Sequence, residues 1–214
     1  MHAVLQLVRN RFMRPTSGKT LAPTLLAEQA PEEHSLEYSG MVIFLGSWAM
    51  MFGALFFSYA VLRISAPVWP APGFARLPLV LPGINTLLLL TSSRTLSVAL
   101  ARLRRGQLER CRNELLLTIA LGSAFVALQC KVWVDLWQSG LRLDSGAYGG
   151  TFYLLTVFHI LHVLVGLGLL GRLLAPLARR NPVAPGRVSA ALTAMFWHFV
   201  DAVWLTMFVA VYIL

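Results

Sequence analysis

Four side chains in the last third of the sequence could do chemistry together. His159 and His162 are spaced i, i+3, as are His198 and Asp201. On an α-helix that spacing puts both members of a pair on one face. Neutral imidazole is a common metal ligand, and imidazole with carboxylate can pass protons. Three readings compete. A haem or metal site needs ligands facing one another across a gap, and the first three apolar stretches carry no histidine. A proton relay needs continuity to both surfaces, and nothing titratable extends this layer to either. We adopt the third, a hydrogen-bonded network of His159, His162, His198 and Asp201 in which carboxylate and imidazoles answer one another and fix helix register. No catalytic residue and no metal site is expected in the chain.

The elements that position this layer are membrane spans. The chain has 214 residues, 57% hydrophobic and only 13% charged, and its apolar residues fall in long blocks. A hydrocarbon core about 30 Å thick takes roughly 20 apolar residues per helix. Five stretches qualify: Gly40 to Leu62, Pro78 to Leu100, Leu115 to Trp137, Tyr148 to Leu174 and Ser189 to Tyr212. The fold class is therefore all-α, a polytopic bundle of five transmembrane helices. Val-rich runs such as Val209 to Ile213 read as helix too, because lipid offers no partner to a strand's backbone. Both histidine pairs fall in the middle third of their spans.

A net charge of +9 does not point to nucleic acid. Thirteen of the eighteen Lys and Arg residues lie in the N-terminal tail (Arg9, Arg11, Arg14, Lys19), the second loop (Arg102, Arg104, Arg105, Arg110, Arg112) and the fourth (Arg172, Arg179, Arg180, Arg187). That asymmetry is a topology signal, placing the N-terminus in the cytoplasm and, after five crossings, the C-terminus outside. Residues 1–39 read as a cytoplasmic tail without a cleavable signal peptide, and 40–214 as one membrane domain. Cys111, in the second loop, and Cys130, inside the third span, read as free thiols. Arg94 and Lys131 lie within spans but near enough to an interface to snorkel, and Asp135 can pair with Lys131 at i+4. Trp69 and Trp137 read as interfacial anchors, and Trp197 and Trp204 share a face with Asp201 that suits packing or a lipid groove. Gly46, Gly53, Gly166, Gly168 and Gly171 would permit close helix approach.

Several strings resemble the haem-copper cytochrome c oxidase subunit III family in its short, five-helix bacterial form. Trp197-His198-Phe199-Val200-Asp201-Ala202-Val203-Trp204 resembles the WHFVDxVW signature of the family's last helix. Phe158-His159-Ile160-Leu161-His162-Val163 with Gly166 resembles its FHxxHVxxG, and the run from Asn85 to Ser93 is similar to its NTLLLLTSS. Two departures stand out. Trp48 follows Ser47 where the family usually has Glu, and Val132 occupies the Glu position of Gln-x-x-Glu-Trp. Roles built on those glutamates do not transfer.

The resemblance implies a subunit without a redox centre, packed against subunit I in a complex that also holds subunit II, with haem and copper in those partners. It implies a multi-pass protein of the bacterial inner (plasma) membrane that holds structural phospholipids and supports proton uptake during dioxygen reduction. In the family a lipid cleft separates the first two helices from the rest, so spans one and two would dock on subunit I. Arg63 and Arg172 at span ends, with Trp197, would contact lipid. A related alternative is the subunit-III-like protein associated with nitric oxide reductase. From a different class, an independent transporter or proton channel would use the histidine layer.

Overall fold

The computed structural model describes residues 21–68 and 79–213, with side chains from Ser35 onward. The elements are α1 (Leu21–Ser65), α2 (Val80–Arg104), α3 (Leu108–Gln138), α4 (Gly146–Leu174) and α5 (Arg187–Met207), which continues as a π-helical turn, Phe208–Ile213. No strand occurs among the described residues. All five helices are long and apolar enough to cross a membrane, and the shortest span, of 25 residues, is about 37 Å long at 1.5 Å per residue. The chain divides into two compact units, 1–39 and 40–214. The first is helical from Leu21. The second contains the bundle.

Helices α2 to α5 form a ring in which α2 packs on α3, α3 on α4, α4 on α5 and α5 back on α2, with the α2–α3 pair the most extensive. The second loop is much shorter than expected. Arg102 and Arg104 belong to the last turn of α2, Arg110 and Arg112 to the start of α3, and only Arg105–Gln107 connect them. Gly106 makes that turn at φ 70°, and Arg102 Nη1 donates to Gln107 Oε1 at 2.9 Å. The helices outrun the apolar windows because charged side chains can continue a helix beyond the hydrocarbon, where water and headgroups solvate them. Cys111 consequently sits in the first turn of α3, buried, rather than in a loop. These arginines, with Arg172 and Arg187, define a basic end of the ring. At the opposite end Gly140, at φ 91°, starts the turn into α4, and Tyr153 Oη locks it by donating to Leu141 O at 2.8 Å.

Within the second unit, α1 meets the ring only through scattered side chains. Trp48 and Phe52 pack edge-on against His162 at 4.1 and 5.2 Å, Phe44 stacks on Phe196, and Arg63 donates to Ala210 O at 3.5 Å. The expected division after two helices is therefore corrected. Helix α1 alone stands off, while α2 is an integral wall of the ring. The inward residues of α2 mix Asn85, Thr86, Ser92 and Ala99 with Leu89, Leu96 and Leu103, whereas α1 presents Phe44, Trp48 and Phe52. Trp69 and the arginines of residues 1–20 lie outside the described residues.

Candidate functional site

The centre of the ring is built on two tryptophans of α5. Trp197 is fully buried, its N–H donating to Ser92 Oγ on α2 at 3.1 Å. One turn pair later Trp204, equally buried, donates to Thr86 Oγ1 at 3.0 Å and meets Phe125 of α3 edge-on at 4.8 Å. Seven residues forward on α5 match six backward on α2, as antiparallel neighbours require. The Trp197 ring fills the space left by two glycines. A Cβ at Gly122 of α3 or at Gly166 of α4 would stand 2.8 Å from it. Gly46, Gly53, Gly168 and Gly171, expected to permit close approach, have no atom of another residue that near. Trp197 thus corrects the lipid-groove expectation, since no part of it reaches the surface.

The four polar residues singled out by spacing share a layer but do not bond to one another. His198 of α5 turns to α2, its Nδ1 lying 2.5 Å from Ser93 Oγ and its Nε2 3.5 Å from Ser97 Oγ. Asp201 is buried and faces the Ser93 hydroxyl, with neither oxygen in hydrogen-bonding geometry. His162 pairs Nδ1 with Phe158 O at 2.6 Å within its own helix. His159 is enclosed by rings, tilted over Trp204 at 5.3 Å and edge-on to Phe125 at 5.8 Å, with no hydrogen bond to either nitrogen. The expected mutual network is therefore corrected: α2 serines answer α5, and aromatic rings surround the α4 histidines. The i, i+3 spacing sets a common face on one helix and cannot say which neighbour that face meets.

The cross-helix polar contacts missed from sequence are made by side chains without charge. Asn85 Nδ2 donates to Gln129 Oε1 at 3.2 Å, both residues fully buried between α2 and α3. Thr95 and Thr118 share a hydrogen bond at 2.7 Å, and Trp133 Nε1 donates to Thr156 Oγ1 at 3.1 Å. The π-helical turn brings Tyr212 toward Gln129. The signal available was the hydroxyl spacing of Thr86 and Ser92 against that of Trp204 and Trp197.

The remaining candidates lie at the ring's edges. Arg63 is half-buried, its guanidinium 3.5 Å from Tyr59 Oη, and Arg172 is exposed in the last turn of α4 at the basic end. Lys131 and Asp135 form the expected ion pair at 3.0 Å on the outward side of α3. Trp137 is exposed near the end of α3 with the Arg142 guanidinium over its ring at 5.3 Å. Both cysteines are free thiols. Among the described residues no group of three or more His, Cys, Asp or Glu side chains comes close enough to hold a metal ion.

The strings carrying the resemblance therefore pack on one another: the run Asn85 to Ser93 of α2 receives the N–H groups and imidazole of Trp197 to Trp204 in α5, and His159 of α4 closes over Trp204. Over residues 28–214 the chain matches cytochrome c oxidase subunit III as a family. It is 31% identical to cytochrome c oxidase subunit 3 of Thermostichus vulcanus over 194 residues, covering 89% of this chain and 93% of that one. It is 34% identical to the Synechocystis protein of that name, covering 84% and 76%, and 32% identical to that of Latimeria chalumnae, covering 85% and 70%. Matches of this extent leave no span outside the likeness, and the chain belongs to the cytochrome c oxidase subunit III family of haem-copper oxidases.

Proposed function

We propose that this subunit III works without a redox centre of its own, as a helical scaffold packed on subunit I of a bacterial inner-membrane terminal oxidase that also contains subunit II. Haem and copper belong to those partners. The N-terminus faces the cytoplasm, which makes the basic end of the ring the cytoplasmic one. The subunit holds phospholipid beside α1, whose outward residues are large and apolar, and it supports proton uptake by subunit I. Arg172 at the basic end and Arg63 at the other are the guanidinium groups placed to meet lipid phosphates.

The observation carrying this reading is that, apart from the unpartnered carboxyl of Asp201, the polar layer of the ring is bound up in packing. Trp197, Trp204 and His198 are committed to α2, and His159 is enclosed by rings. Such an interior specifies helix register and presents no continuous titratable path, as a scaffold requires and a pump does not.

The test is affinity purification of the tagged chain in mild detergent, with a visible spectrum and mass spectrometry of the companions. Haem spectra with oxidase subunits I and II are the expected result. A colourless chain alone would overturn the reading, and nitric oxide reductase subunits in their place would redirect it. His198→Ala should loosen the chain's hold on the complex without abolishing dioxygen reduction by the core that remains.

A further inference from the structure

The outward faces of the helices differ in kind. On α4 the exposed residues of the span include Leu154, Val157, Leu161, Leu164 and Val165, the composition that lipid chains solvate without penalty. Along the seam between α2 and α5 the exposed residues are mixed: Leu87, Leu90, Thr91, Arg94, Ser97 and Ala101 on one helix, and Ala202, Thr206 and, in the π-helical turn, Val209 on the other. Small side chains on an outer face allow a helix backbone to approach closely, and in lipid they are characteristic of helix–helix contacts. The hydroxyls among them are already satisfied. Thr91, Ser97 and Thr206 each donate to the carbonyl four residues back, at 2.7, 3.0 and 3.0 Å.

Arg94 is not satisfied in this way. It is exposed on this face, and the Lys131–Asp135 pair is the one ion pair found among the described residues. Arg94 stands ten residues before the end of α2 at Arg104, about 15 Å along the axis, and eight before Arg102, the first arginine of the basic end. By the positive-inside rule lipid phosphates would gather at that end, about 12 Å away along the helix, so the expectation that Arg94 snorkels is corrected: near the middle of α2, a headgroup is a poor match for its depth. An intramembrane charge calls for a counter-charge at its own level. The level is also rigid, because the neighbouring Ser93 bonds His198 across the seam.

We propose that the α2–α5 seam receives a transmembrane helix of another oxidase subunit, and that a carboxylate on that helix pairs with the Arg94 guanidinium. The proposal rests on the reading of this chain as a subunit of an oxidase complex, and it identifies the docking face and the chemistry of the partner. A second copy of this chain does not fit. Asp201 is buried, Asp135 is engaged by Lys131 toward the opposite end, and Glu114 lies nearer the basic end than Arg94 does.

The experiment compares wild type, Arg94→Leu and Arg94→Lys in the complex purified through a tag on the haem-bearing subunit. In parallel, a photo-crosslinking residue replaces Ser97 on the seam or Leu161 on α4. The expected result is that Arg94→Leu lowers the amount of this chain per haem about tenfold, the size of effect carried by one charged hydrogen bond, and Arg94→Lys lowers it less. The probe at Ser97 should attach to a protein segment containing Asp or Glu, and the probe at Leu161 to lipid alone. Retention of Arg94→Leu at the wild-type level, or attachment of the Ser97 probe only to lipid or to a second copy, would overturn the proposal while leaving the oxidase reading intact. A wild-type chain that purifies without haem-bearing partners would overturn the oxidase reading itself. Should Arg94→Leu fail to accumulate in the membrane, the two probe positions decide the matter in the otherwise unaltered chain.

Discussion

Trp197 of α5 gives its indole N–H to the hydroxyl of Ser92 on α2 at 3.1 Å, while its six-membered ring lies against Gly122 of α3 and Gly166 of α4. One side chain thereby contacts all three of the other helices in the ring. Trp197→Phe removes the N–H and part of the ring, which should cost about 2 kcal/mol, and Trp197→Ala about 4 kcal/mol. Thermal release of the subunit from purified oxidase would rank the variants. A phenylalanine variant indistinguishable from wild type would mean that the Ser92 contact contributes nothing to holding α5 on α2.

The two glycines are the other half of that arrangement. Gly166→Ala puts a methyl group 2.8 Å from the Trp197 ring, and overpacking of this kind costs about 1–3 kcal/mol. The smaller ring of Trp197→Phe should accommodate the methyl, so the double substitution ought to cost less than the two single ones together. The coupling is read from a double-mutant cycle on the same thermal transition. Strict additivity would place the strain of Gly166→Ala somewhere other than against Trp197.

His159 shows how its surroundings decide what a histidine does. It is fully buried, enclosed by Trp204 and Phe125, and makes no hydrogen bond among the described residues. If aromatic volume is its contribution, His159→Phe should be tolerated within about 1.5 kcal/mol, and His159→Ala should cost about 3 kcal/mol through the cavity it leaves. Measured stability of the purified complex settles the order. Phe proving worse than Ala would show that the imidazole nitrogens serve a polar partner.

The spans were legible because hydropathy over 20 residues depends on the chain alone. Each of the five apolar windows became a helix, and Lys131–Asp135 was legible because an i, i+4 pair needs only its own helix. Partnership between helices was less so. His198 and Asp201 point from α5 toward Ser93 of α2 rather than toward His159 and His162 of α4, a choice made by the ring's closure of α5 on α2. The anchors of that closure, Thr86 and Ser92, are small neutral residues of a kind common in spans. They acquire meaning only when their six-residue spacing is set against the seven residues between Trp197 and Trp204. Arg102 to Arg112 were read as a loop because charge ends an apolar window before it ends a helix.

The Lys131–Asp135 pair shows how a charge near the end of a span depends on its partner. Lys131 Nζ lies 3.0 Å from Asp135 on an exposed face of α3, seven residues or about 10 Å from the helix end at Gln138. In water such a pair is worth only a few tenths of a kcal/mol. In lipid the comparison changes, because an unpaired Lys carries an insertion cost that reaches about 2.5–3.5 kcal/mol at the membrane centre and lessens toward the end. Asp135→Leu should therefore lower membrane accumulation of the chain more than Lys131→Leu and Asp135→Leu combined, since the double variant removes both charges together. Immunoblots of membrane fractions at matched expression measure this directly. Equal accumulation of single and double variants would mean that Lys131 reaches water or a headgroup unaided, with Asp135 adding only the small exposed-pair energy.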